Sequence, residues 1–159
     1  MSDAGSRSRP VAEGPREQVS RPQPEPTIPS QIGPHQVHVQ DDLLFIRFIG
    51  PYLPEEARQV LALADQMYRT YGGCYMLADV RQGGPPGPET RRVIGTWPYL
   101  GTYVAALFGV NSAIRVLTTL LVGAQRLLGT RQPIRTELFD HEDEARAWLL
   151  EQRRLLRGS

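Results

Sequence analysis

The sequence predicts an α/β domain: a mixed, mainly parallel sheet of four to five strands, opened by a β-hairpin and covered by helices. Three observations carry that expectation. Short runs rich in Val, Ile, Phe and Tyr alternate with segments whose apolar residues recur at helical spacing. Gly and Pro punctuate the junctions between them. Runs separated by a helix pair in parallel through right-handed crossovers, whereas the first two runs lie too close for a crossover and pair as a hairpin.

The chain has 159 residues, enough for one domain and a tail. Residues 1–34 hold seven of the 14 prolines and no aromatic residue. Such a segment buries too little apolar surface to offset its ordering entropy, so a disordered Pro-rich tail is expected, with RPQPEP as its candidate docking peptide. The domain itself is expected over residues 35–157.

HQVHVQ alternates, placing Val37 and Val39 on one face; after Asp41 and Asp42, LLFIRFIG alternates again. Two strands joined by a tight Asp turn make the hairpin. PEEARQVLALADQMYRTYGG reads as a helix. Pro54 and the acids Glu55 and Glu56 suit its first turn, Gly72 and Gly73 its end. Ala57, Val60, Leu61, Ala64, Met67, Tyr68 and Tyr71 form its apolar stripe. CYMLADV is a buried strand. A Gly/Pro loop and a short helix, PETRRVIGTW, follow, then YVAALFGV as the next buried strand.

NSAIRVLTTLLVGAQRLLG is the longest helix, with Asn111 or Ser112 as N-cap. Its stripe runs through Ala113, Ile114, Leu117, Leu120, Leu121, Ala124, Leu127 and Leu128. RQPIRTELF is the last strand, an edge strand because Pro133 cannot donate to a ladder. DHEDEARAWLLEQRRLL closes the chain as a helix, with Asp140 as N-cap and Ala145, Trp148, Leu149, Gln152 and Leu156 on one face. The order is ββαβαβαβα.

Composition excludes some function classes. Eighteen basic and 17 acidic residues leave a net charge of +1, without the basic excess of a nucleic-acid binder. Every basic residue is Arg, a usage that points to a GC-rich bacterial genome. The single Cys74 allows no internal disulfide and suits a reducing compartment. The first thirty residues contain no signal-peptide core, and Asn111, Ser112 and Arg115 interrupt the most apolar stretch, Tyr99–Leu128, too soon for a membrane span. A soluble cytoplasmic protein is expected.

The landmarks LLFIRFIGPYLPEEARQVL, LADVR, PETRR and LFDHEDEARAWL resemble those of STAS-like domains of the SpoIIAA-like group, relatives of bacterial anti-sigma-factor antagonists. The resemblance covers about residues 36–152, and LFDHEDEARAWL is its most specific part. It implies a regulatory or binding protein with no catalysis and no cofactor. In antagonist domains the loop after the central strand carries an Asp and then a phosphorylatable Ser at a helix start, where added phosphate switches partner binding. Here Asp79 ends the strand, but QGGPPGPE holds no hydroxyl, and Thr90 is the displaced equivalent.

The stretch 79–92 lies at the ligand edge of an α/β sheet, the general place for a site, although its own residues declare none; a protein contact is expected there, at Asp79, Arg81, Thr90, Arg91 and Arg92. The loop lacks the Gly-Lys-Ser/Thr ending of a phosphate-binding loop, and its prolines remove backbone donors. A candidate pocket for a lipid or other small apolar ligand is formed by Trp97, Tyr99, Tyr103 and Phe108, between the sheet and the helices at 88–97 and 111–128. The resemblance adds to this reading, because the family lies near the CRAL-TRIO lipid-binding group in fold. Cys74 reads as a core thiol. His35, His38 and His141 lack metal-ligand spacing, and the acids at 140–144 read as a helix start.

Overall fold

Alternation in the strands decides which side chains meet which helix. The computed structural model describes residues 28–127 and 134–158. Its elements are β1 (Gln31–Ile32), β2 (His35–Gln40), β3 (Leu43–Gly50), α1 (Pro54–Tyr71), β4 (Tyr75–Gly83), α2 (Pro88–Thr96), β5 (Tyr103–Phe108), α3 (Ser112–Leu127), β6 (Ile134–Phe139) and α4 (Glu142–Arg157). The described strands form one six-stranded sheet in chain order. β1, β2 and β3 pair antiparallel; β3, β4, β5 and β6 pair in parallel.

The α/β class and the hairpin are as expected, but the sheet has one strand more, and its antiparallel share is larger. The extra strand is β1, in the segment read as tail. It pairs with His35 and Gln36 and buries Ile32. The remainder of that tail, 1–27 with RPQPEP, and Leu128–Pro133 lie outside the described residues. β6 is an edge strand, as expected.

Because β3 to β6 are sequential neighbours running the same way, right-handed crossovers put α1, α2 and α3 on one face. That face carries Val37, Leu44, Ile46, Val60, Leu63, Ala64 and Met67 in one cluster, and Ala78, Val80 and Ile114 in another. α4 returns across the opposite face, where Ala145, Leu149 and Trp148 pack on Tyr75, Leu77, Val104, Ala106 and Phe108.

The helix ends follow local chemistry. Pro54 opens α1, and Glu56 accepts the otherwise orphaned N–H of Leu53 at 2.8 Å. Gly72, at φ 76°, ends it in the left-handed conformation. Asn111 caps α3, its Oδ1 accepting the Ile114 N–H at 3.0 Å. Asp140 does not cap α4: His141 is the N-cap residue, and Asp140 pairs with Arg115 at 2.7 Å. Leu120, assigned by periodicity to the packed stripe of α3, is exposed. The side chains of Leu121, Ala124 and Leu127 lie outside the described residues. The far end of α4 is clamped: Arg153 and Arg157 each reach the fully buried Asp42 at 2.7 Å. Among the described residues no helix is long and apolar enough to cross a membrane.

Candidate functional site

The face under α1, α2 and α3 holds a half-open apolar cleft of ≈ 200 Å³. Its floor is formed by alternate residues of three neighbouring strands: Met76 and Ala78 of β4, Ala105 and Leu107 of β5, Ile134 and Thr136 of β6. Val60, Leu61 and Ala64 of α1, Ile94 of α2, and Ile114 and Thr118 of α3 form its walls. No charged residue is among the described lining residues.

Three tyrosines, with Thr118, Thr136 and Cys74, bring the polar side-chain atoms. Tyr103 donates its hydroxyl to Asp65 at 2.5 Å, and Trp97 donates its indole N–H to the same carboxylate at 3.2 Å. Tyr99 donates to the Ile94 carbonyl at 2.7 Å. Tyr52 stands against His35 and Phe48, with ring centroids 5.6 and 4.7 Å away. Burial first pushes all three phenols above their ordinary range; next comes the neighbouring tyrosine, Tyr99 for Tyr52 and Tyr103 for Tyr99, and then Glu56 or Asp65, whereas for Tyr103 the second cause is its hydrogen bond to Asp65.

Of the four aromatics expected to form a pocket, the structure brings Tyr99 and Tyr103 to the cleft. Phe108 lies on the opposite face, under α4 and 5.5 Å from the Arg81 guanidinium. Trp97 is turned toward Asp65 and is not part of the lining.

The residues of 79–92 do not form one surface. β4 runs on to Gly83, pairing with Gly50, so Arg81 and Gln82 are strand residues. Asp79 is buried on the α4 face and accepts four hydrogen bonds: from Arg47, and from the Arg81 backbone, Nε and Nη2. Burial alone raises this carboxyl, but the Arg81 and Arg47 contacts outweigh it and hold Asp79 below the usual carboxylate value. Thr90 is buried beneath α2 and donates to the Tyr52 carbonyl at 2.7 Å, so its hydroxyl is not presented for phosphorylation. Arg91 bonds the Pro86 carbonyl at 2.9 Å. Of these five, Arg92 is the one whose side chain has no partner among the described residues; it lies in a groove with Pro54 and Arg58 of α1 and Glu89, Val93 and Thr96 of α2.

Cys74 also borders the cleft, and burial, with nearby Asp42 and Asp65, pushes its thiol up to about 12. That is a poor nucleophile at neutral pH. His35 is buried and occupied on both nitrogens, accepting the Ile49 N–H at 3.0 Å and meeting Glu56 at 2.9 Å. Among the described residues no group of His, Cys, Asp or Glu has the arrangement to hold a metal ion.

Two residues central to this arrangement escape the sequence reading. Asp65 lies four positions after Leu61, inside the apolar stripe of α1; a carboxylate there was the signal. Tyr52 sits in the short link between β3 and α1, where no periodicity points to it. No family model matches the chain, and no curated protein matches it.

Proposed function

We propose that this protein is a non-enzymatic carrier or sensor that binds a small apolar ligand between the sheet and helices α1, α2 and α3. One observation carries the reading: an apolar cleft of ≈ 200 Å³ opens in the packed face of a small domain. Native interiors fill such space, with few voids larger than a water molecule, and pockets for small molecules are apolar with a few placed polar groups. Native mass spectrometry of the protein purified from its own host tests it. A bound apolar molecule supports the carrier; a bare chain after mild extraction counts against it.

A second reading, a regulatory module working through protein contacts at 79–92, rests on the groove beside Arg92, where α1 and α2 meet. Arg91→Glu with Arg92→Glu would abolish a partner's capture from host lysate if that reading holds. The element order and the ending LFDHEDEARAWL support the STAS-like resemblance and, with it, the cytoplasmic bacterial setting.

A further inference from the structure

The chemistry of the cleft narrows the ligand, on the assumption that the carrier or sensor reading above holds. We propose that the cleft selects an uncharged molecule somewhat larger than benzene, carrying one hydrogen-bonding group that meets the Tyr52 hydroxyl, and that it refuses carboxylates such as fatty acids.

Size comes first. A dry cavity of roughly 150 Å³ takes benzene, and this cleft offers ≈ 200 Å³. A long acyl chain would extend out of it.

Charge comes next. The described lining holds no Arg or His to pair with an anion. The charged side chains that act on its tyrosines and Cys74 are Glu56, Asp65 and Asp42, all acids. The nearest imidazole, His35, has both nitrogens engaged. An entering carboxylate would lose its water, gain no cation and face negative neighbours.

The polar group is the third element. Tyr103 and Tyr99 spend their hydroxyl protons on Asp65 and the Ile94 carbonyl. Among the described residues the Tyr52 hydroxyl has no hydrogen-bond partner, its carbonyl alone being engaged, by Thr90. An alcohol, phenol or ring N–H of the ligand completes it.

The test is calorimetric titration of the full chain at pH 7 with naphthalene, 2-naphthol and 2-naphthoate, three probes of one ring size. The expected result is binding of the first two, with 2-naphthoate at least ~100-fold weaker. Tyr52→Phe should weaken 2-naphthol about 3- to 10-fold and leave naphthalene unchanged. If 2-naphthoate binds as well as 2-naphthol, the charge selectivity is overturned while the apolar-ligand reading stands. If Tyr52→Phe leaves 2-naphthol unchanged, Tyr52 is not the anchor. If none of the three binds, the cleft is not a ligand site and the reading beneath this one falls too.

Discussion

Replacing Ala105 by Leu asks whether the space beneath α3 is free. Ala105 lies mid-strand in β5, in register with Met76 of β4 and Thr136 of β6, and all three line the cleft. Its side chain therefore points into the ≈ 200 Å³ volume, and Leu adds three carbons there. At about 0.8 kcal/mol per buried methylene the gain is about 2.4 kcal/mol. Ordering the Leu side chain removes about 0.5–1 kcal/mol. The expected net is stabilisation by about 1–2 kcal/mol, and each 1 kcal/mol corresponds to a rise in Tm of about 3–6 °C for a domain of this size. Urea unfolding followed by circular dichroism reads it, as a higher midpoint with an unchanged slope. The same variant should no longer bind 2-naphthol. A loss of about 1–3 kcal/mol, the usual consequence of forcing atoms into a filled core, would refute the free volume and remove the basis of the ligand proposal.

Three further outcomes are expected. Cys74 should stay unlabelled by a thiol reagent at pH 8 in the folded protein and react only on unfolding, because burial pushes its thiol up to about 12; rapid labelling of the native state would refute the packing around it. Gly33→Ala should cost about 2 kcal/mol or more, since φ 55° is left-handed and the new Cβ would stand on the Glu56 carboxylate; an unchanged denaturation midpoint would show that β1 is not fixed against α1. Asp79 sits below its unfolded value, so its stabilisation is complete above about pH 4 and is lost as pH falls through the lower folded value. Asp79→Asn should therefore flatten the acid limb of a stability–pH curve, and an equally steep limb in the variant would mean the Arg47 and Arg81 contacts add nothing.

The layered architecture was legible because each long element carries its period openly. The stripe of α1 reappears as buried Val60, Leu61, Ala64 and Met67, and the closing helix buries Ala145 and Leu149 as read. β1 was not legible, because two residues, Gln31 and Ile32, are too short to show alternation beside a Pro-rich segment. The pocket was half legible. Tyr103 and Phe108 are five positions apart, an odd separation that puts them on opposite faces of one strand; applied to them, that rule would have removed Phe108. The Arg47–Asp79 pair depends on parallel register, which places residues 32 positions apart side by side and leaves no local trace.

The same alternation explains why a void lies on one face only. In β4, Tyr75 and Leu77 point at α4, whereas Met76 and Ala78 point at the other helices. In β5, Val104, Ala106 and Phe108 point at α4, and Tyr103, Ala105 and Leu107 point away. On the α4 side, Tyr75, Leu77 and Phe108 fill the height between sheet and helix, helped by Trp148 at 5.7 Å from Phe139. On the other side the floor alternates in size: Ala105 lies beside Met76 and Ala78 beside Leu107, under walls that include Ala64 of α1 and Ile114 of α3. The low positions at Ala64, Ala78 and Ala105 leave space between sheet and helices, at a cost of about 24 cal/mol per Å³ wherever a core cannot collapse. A chain that leaves such a cleft beneath its helices is spending stability on space. Under the proposed function a bound ligand would return it, because whatever binds the folded state alone stabilises that state in proportion to its occupancy. A rise in Tm with added 2-naphthol, absent in Ala105→Leu, is the signature of that exchange.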